Sequence, residues 1–250
     1  MAANNSPLGV RGMNVVITGA SRGIGKAIAE LFAANGHALY LSSKSEVAIH
    51  KTMAELQDKY PGVKIKAKAR DLSKRDEVES FGQWVLDNSF NIDVLVNNAG
   101  NFLPGSVYNE ENGFLEEMIA TNLYSAYHLT RKLLPQMMKQ SPVSGSRGHI
   151  FNMCSIASLQ AYNNGGAYSI SKFAMHGFSK NLREEMKPHL IKVTSVFPGA
   201  VMTDSWEGFD NSAKRIMEAE DIARMIYAAS QLSPQACVEE ITIRPQLGDL

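Results

Sequence analysis

Apolar residues in this chain are spaced in two alternating ways. Runs of strand length recur at Asn14–Thr18, Ala38–Leu41, Val63–Ala69, Val94–Val96, His149–Met153, Lys192–Phe197 and Val238–Ile243. Between them, apolar positions repeat at helical spacing over Gly23–Asn35, Glu46–Lys59, Lys74–Asn88, Asn112–Gln140, Gly166–Lys187 and Glu220–Ser230. Strands that alternate with helices of this length predict βαβ crossovers, and hence an α/β protein with a parallel sheet covered on both faces. Asn35-Gly36 supplies a stop for the first helix, since either residue adopts positive φ readily. Ser141–Gly148, rich in Ser and Gly, reads as a loop between a long helix and a strand. Residues 1–11 have no periodicity and are expected to form a loose leader, with 12–250 as one domain. No internal repeat interrupts the pattern.

Composition narrows the class. A domain of 250 residues buries about 70–75 % of its unfolded surface, so it folds without disulfides or metal. Cys154 and Cys237 follow no disulfide or zinc spacing and read as small apolar side chains in a reducing cytoplasm. Lys plus Arg and Asp plus Glu both total 25, which leaves no basic excess for nucleic acid or anionic membrane. No apolar run approaches the length of a membrane span, and no signal-peptide pattern occurs. None of the six histidines pairs at metal-ligand spacing, so no metal is expected.

The first strand runs into Gly19-Ala20-Ser21-Arg22-Gly23-Ile24-Gly25, and a helical pattern follows at once. Glycines at a strand-to-helix junction let the backbone turn sharply against a pyrophosphate, whose charge the free N–H groups of the helix start favour. This points to a Rossmann-type, doubly wound dinucleotide-binding sheet. About twenty residues on, an acid would bind the ribose 2′-OH of NAD. Here that stretch is Leu41-Ser42-Ser43-Lys44, with Ser43 where the acid would fall. Lys44 and Arg22 attract a 2′-phosphate, so NADPH/NADP+ is expected in preference to NADH; a carboxylate from Glu46 would weaken that inference.

Tyr168-Ser169-Ile170-Ser171-Lys172 sets a phenol and an ammonium one helical turn apart. A nearby cation favours the phenolate and is expected to lower the Tyr168 pKa toward the working range of a proton donor. Ser155 ends the apolar strand Ile150–Met153, where a hydroxyl emerges at the carboxyl edge of the sheet. Asn122 sits in mid-helix, a placement that costs propensity and calls for either a hydrogen-bonding reason or plain exposure.

Together these residues resemble the short-chain dehydrogenase/reductase family, in its compact form, over nearly the whole chain. The matching features are Thr18–Gly25, Asp71-Leu72, Asn97-Asn98-Ala99-Gly100, Asn122, Ser155, Tyr168 with Lys172, and Pro198-Gly199 with Thr203. The resemblance implies that Asp71 and Leu72 bracket the adenine, while Asn98, Ala99 and Gly100 line the adenosine ribose and the floor. Ser155 would bind the substrate carbonyl and Tyr168 protonate it. Lys172 would hold the nicotinamide ribose, and Asn122 a water that links Lys172 to solvent. Pro198, Gly199, Val201 and Thr203 would embrace the nicotinamide. It also implies a homodimer or homotetramer built through Asn112–Gln140 and Gly166–Lys187.

The ending Cys237–Leu250, with Pro198–Thr203 and Trp206, looks more like bacterial sepiapterin-reductase-type ketone reductases than like relatives with a Gly-Gly ending. The expected activity is reduction of a small-molecule carbonyl. Phe102, Ile156, Leu159, Tyr162, Met202, Trp206 and Phe209 are either pocket walls or core packing. The alternatives are a 3-oxoacyl-carrier-protein reductase, which needs a basic docking patch, and a non-catalytic NADP(H)-sensing protein.

Overall fold

The computed structural model describes residues 12–203, 210–211 and 215–248. Seven strands form one parallel sheet in the order β3-β2-β1-β4-β5-β6-β7. They are β1 (Asn14–Thr18), β2 (Ala38–Ser43), β3 (Ile65–Ala69), β4 (Val94–Asn97), β5 (Gly148–Met153), β6 (Ile191–Pro198) and β7 (Glu240–Ile243). Helices α1 (Gly23–Ala34), α2 (Glu46–Lys59), α3 (Arg75–Asn88), α4 (Phe114–Ile119), α5 (Ser125–Lys139), α6 (Gly166–Met186) and α7 (Ala219–Ser230) cover both faces.

The two faces are written residue by residue in the strands, since successive side chains point to opposite sides. Val15, Ile17, Leu39, Leu41, Val94 and Val96 pack with Ile28 and Phe32 of α1 and Ile222 and Ile226 of α7. Their neighbours Val16, Tyr40, Leu95 and Ile150 pack with Phe81 of α3, Leu129 and Leu133 of α5 and Leu182 of α6. Gly36, at φ 78°, is the residue that takes the left-handed turn after α1. Among the described residues, no helix is long and apolar enough to cross a membrane.

The order of strands reverses between β1 and β4, the two strands that leave for opposite edges of the sheet. In open parallel sheets a crevice opens there, beyond the carboxyl ends of the strands. Thr18, Asn97, Met153 and Pro198 end strands at that edge.

Four expected elements differ by two residues or more, the first being β2, which runs past Leu41 because Ser42 and Ser43 pair with Lys68 and Ala69. The single helix expected over Asn112–Gln140 is α4, a wider π turn at Ala120–Tyr124, and α5. Val63 is outside β3 because its N–H bonds the carbonyl of Tyr60 in a turn, and pairing with β2 begins at Ile65. Val238 precedes β7; its carbonyl accepts from the Thr194 hydroxyl, and pairing with β6 starts at Glu240.

Candidate active site

The glycine turn joins β1 to α1. The N-cap, Arg22, makes no side-chain cap, and the first turn of α1 carries no acid, so its amides are left to an anion. Gly25 lies so close to the turn that a Cβ there would stand 2.2 Å from the Gly19 carbonyl oxygen. Gly19 itself takes φ 64°, a conformation that side chains resist. Ser21 is anchored by its carbonyl, which accepts from Thr52 Oγ1 at 3.1 Å.

Thr18 and Asn98 lace the crevice shut from below. Thr18 Oγ1 accepts the amides of Asn98 and Ala99 at 3.0 and 2.9 Å. The Asn98 amide group donates to the carbonyls of Thr18 and Gly19 at 3.0 and 3.1 Å. The Nδ2 group of Asn98 therefore holds the glycine turn, which leaves its Oδ1 and its backbone to line the floor. From the far edge the chain returns over the same turn: a Cβ on Gly23 would lie 3.0 Å from Thr203 Cγ2. Gly199 is tied to β7 through the Ile243 carbonyl at 2.8 Å, and buried Val201 pairs with Met217.

Beyond β2, the Lys44 ammonium sits 3.0 Å from Asp71 Oδ2. Burial pushes the Asp71 carboxyl up, but the Ser73 hydroxyl and the Lys44 ammonium outweigh it and hold the pKa below the usual carboxylate value. That bond to Asp71 raises the Lys44 pKa. The second strand thus ends in Ser42 and Ser43 with a charged pair beside them, and Leu72 is buried next to Asp71. Glu46, the acid that could oppose a 2′-phosphate, is the exposed first residue of α2. The uncapped helix start, the glycine that closes against its own turn, and the absence of an acid at Ser43 all fit a phosphorylated dinucleotide.

Ser155, Tyr168 and Lys172 come together at the carboxyl ends of β4 and β5. Ser155 caps a short 3-10 turn, accepting from the Ala157 amide at 3.2 Å, while its own amide donates to Ser158 Oγ at 3.1 Å. This reciprocal box fixes the hydroxyl, which lies near enough to the Tyr168 phenol to favour its phenolate. Lys172 is buried, donates from Nζ to the Met153 carbonyl at 2.8 Å and lies 5.8 Å from the centre of the Tyr168 ring.

The expected lowering of the Tyr168 pKa does not occur. Burial pushes the phenol above its ordinary value, and the nearby Ser155 hydroxyl opposes this only in part. The same burial brings Lys172 down to about 8. The ammonium is itself held by the Met153 carbonyl, 5.8 Å from the ring centre, and burial of the phenol, which the spacing does not reveal, sets the direction of the shift.

Asn122 occupies the π turn, buried, and its side chain is already engaged. Oδ1 accepts the Asn101 amide at 2.7 Å; Nδ2 donates to the Asn101 carbonyl at 3.0 Å and to Ser171 Oγ at 2.9 Å. Both side-chain hydrogens are spent, so a relay water at this position falls to the backbone of the widened turn. Ser171 in turn donates to the Tyr168 carbonyl at 2.7 Å. Ser171 was missed in the sequence, although it is three residues from Tyr168 and so shares its helix face.

Of the pocket candidates, Phe102 packs edge-on against Tyr168, with ring centres 4.9 Å apart. The Tyr162 pKa is pushed to about 12 by burial and by the neighbouring Tyr168 phenol. Ile156 opens the turn after Ser155, and Leu159 follows it half-exposed. Met202 lines a crevice of about 270 Å³ with Gly23, Lys26 and Ala27, on the glycine-turn side. Trp206 and Phe209 lie outside the described residues.

A family model described as short chain dehydrogenase matches residues 13–214, and the chain belongs to that family of oxidoreductases. An uncharacterized oxidoreductase of Staphylococcus epidermidis is 32% identical over 233 residues, covering 92% of this chain and 96% of that protein. Among solved structures, an alcohol dehydrogenase of the archaeon Thermococcus sibiricus, complexed with 5-hydroxy-NADP, superposes with a TM-score of 0.85 at 28% identity, covering 94% of this chain and 97% of that one. L-sorbose reductase of Gluconobacter frateurii, complexed with NADPH and L-sorbose, does so with a TM-score of 0.84 at 25% identity, covering 94% and 96%.

Proposed function

We propose that this oxidoreductase uses NADPH to reduce a small ketone or other carbonyl compound to an alcohol, with Tyr168 as the proton donor. The reading is carried by one arrangement: the Tyr168 phenol near a fixed Ser155 hydroxyl at the carboxyl edge of the sheet, with buried Lys172 one helical turn on, bonded to the Met153 carbonyl. Gly19, Ser21, Gly23, Ile24 and Gly25 would hold the pyrophosphate, Arg22 and Lys44 the 2′-phosphate, and Ser42, Ser43, Asp71 and Leu72 the adenosine end. Structural neighbours crystallised with NADP or NADPH support this choice of cofactor. When bound, the cofactor supplies the hydride.

The protein's own groups handle the rest. Ser155 donates a hydrogen bond to the carbonyl oxygen and aligns it with Tyr168. The phenol, kept protonated by burial, hands its proton to that oxygen as the carbon is reduced. Lys172 stabilises the resulting phenolate, and the proton returns from solvent past the π turn at Asn122. Phe102 and Tyr162 wall the pocket with aromatic surface suited to a flat ring or short acyl group. The sepiapterin-reductase-like ketone reductases remain the favoured subgroup, on the ending Cys237–Leu250.

A carrier-protein thioester would bring an acidic partner to the mouth of the site. Residues 101–120, which border it, hold Glu110, Glu111, Glu116 and Glu117 and no Lys or Arg, which disfavours that partner. A purely sensing protein would have no use for a buried lysine that costs stability. We further assign a cytoplasmic homo-oligomer assembled through α5 and α6. The unpaired Cys154 and Cys237 suit a reducing compartment.

The test is NADPH oxidation measured against diketones, pterins and acetoacetyl thioesters, with Tyr168→Phe alongside wild type. The variant should lose at least about 99 % of turnover, since general acid catalysis contributes roughly 10²–10⁴-fold. Its NADPH affinity should stay within a few-fold. A variant that retains more than about a tenth of the rate removes Tyr168 from the role.

A further inference from the structure

Helix α6 carries Tyr168 and Lys172, yet its N-cap, Gly165, has no side chain to bond the first turn. The bond comes instead from the loop between β4 and α4: Glu110 Oε2 accepts the Ala167 amide at 3.0 Å. That loop is laced to the turn that opens α6. Gly105 pairs with Gly165, and its amide donates to the Asn164 carbonyl at 3.2 Å. Ser106 Oγ donates to Asn164 Oδ1 at 2.8 Å. Glu110 is itself aimed by its backbone, since its amide and that of Asn109 both bond the Ser106 carbonyl at 2.9 Å.

The fit depends on a missing side chain. A Cβ on Gly166 would stand 2.3 Å from Glu110 Oε2 and 2.5 Å from the Gly105 carbonyl oxygen. Farther back in the same loop, Phe102 meets the edge of the Tyr168 ring, and the Asn101 backbone is clasped by Asn122. One loop therefore grips Tyr168 twice: at its ring, and at the backbone one residue before it.

We propose that Glu110 is a positioning residue for Tyr168, a remote cap whose carboxylate oxygen fixes the first turn of α6 and so the height of the phenol over Ser155. The proposal rests on the reading of Tyr168 as proton donor. Proton transfer needs heavy atoms within about 2.6–3.2 Å. A misplacement on the order of 1 Å costs about 10²-fold in rate, so a slack first turn would be felt in kcat. The glycine turn is on a different loop, and NADPH binding should be spared.

The experiment compares wild type, Glu110→Ala and Glu110→Gln by diacetyl reduction, by NADPH affinity from fluorescence, and by amide hydrogen exchange over residues 162–170. Glu110→Ala should lower kcat by about tenfold or more, with the NADPH Kd within about twofold, and should lose exchange protection at Ala167. Glu110→Gln keeps an acceptor oxygen in place and should recover kcat to within about threefold, with protection retained. A folded Glu110→Ala with kcat within about twofold of wild type, or a Gln variant as impaired as Ala, overturns the proposal. If Glu110→Ala does not fold, Glu110→Asp, one methylene too short to reach Ala167, takes its place with the same outcomes. If wild type reduces no carbonyl probe, the proposed function fails by itself. Exchange then still decides the cap, with unchanged protection in the variant counting against it.

Discussion

Lys172 is the residue at which the proposed catalysis and the stability of the fold oppose each other. It is buried, its ammonium donates to the Met153 carbonyl, and burial lowers its pKa from the ordinary 10.5 to about 8. A depressed lysine pKa means that the unfolded chain binds the proton more readily than the fold does. The associated stability is therefore complete only above the unfolded value and is lost as pH falls from about 10.5 toward 8. At neutral pH the charge costs the fold on the order of 3 kcal/mol, at 1.36 kcal/mol per unit. Lys172→Met removes that cost and loses one hydrogen bond of about 1 kcal/mol. The expected outcome at pH 7 is a higher Tm with reductase turnover abolished. Raising the pH toward 10 should shrink the gap in Tm between variant and wild type. A variant less stable than wild type at neutral pH would show that Lys172 is better paired than its partners suggest.

Among the elements, the strands and most helices were legible because their apolar spacing is local information. The break between α4 and α5 was not. Its cause is tertiary: Asn122 turns inward to clasp Asn101 and Ser171, and the helix widens to Ala120–Tyr124 to let it do so. No spacing rule within Asn112–Gln140 contains those partners. The sequence did flag Asn122 as a costly mid-helix residue, but not which atoms it would bind. Helix α6 raises the reverse question at Gly177. An exposed glycine within a 21-residue helix costs about 1 kcal/mol against alanine, and a Cβ there would meet nothing within 4 Å. Nothing inside the subunit requires it. It lies in a groove of about 570 Å³ between α5 and α6, beside Tyr127 and Phe178, on the face proposed for assembly. Gly177→Ala should raise subunit stability by about 0.5–1 kcal/mol. Gly177→Arg should leave the fold intact and shift the protein to monomer in light scattering. An oligomer that persists in the arginine variant excludes this face.

At the scale of the whole molecule, the two ends of the sheet do different work. The carboxyl end gathers the candidate site, and its motifs sit at or beside strand ends, which made the placement of the glycine turn, Ser155 and the Tyr168–Lys172 pair readable in advance. The ion pair of Lys44 with Asp71 and the cap from Glu110 were not, because each joins residues far apart in sequence. At the other end, His149 was read only as a histidine with no metal partner, and the structure gives it a definite burden. It is buried, stacks on Phe151 at 3.9 Å, and bonds Thr194 Oγ1 through Nε2 at 2.7 Å. The Thr194 hydroxyl donates to the Val238 carbonyl, so Nε2 is assigned as the donor and the ring as neutral. Its Nδ1 has no hydrogen-bond partner, and a proton there would also face Lys192 and Arg183. Burial is the larger cause, and together these hold the pKa near 3, against 6.5 for a free imidazole. The unfolded chain therefore takes up this proton first. The stability from His149 is complete above about 6.5 and is lost as pH falls toward 3, with a limiting slope of about 1.4 kcal/mol per pH unit. Because Thr194 links this histidine on β5 to the segment entering β7, acid should loosen the β5–β6–β7 edge first. Denaturant unfolding at pH 7 and pH 4.5 should give a wild-type loss of about 2–3 kcal/mol more than in His149→Leu, whose neutral side chain has no proton to bind. Equal losses in the two proteins would place the acid sensitivity elsewhere.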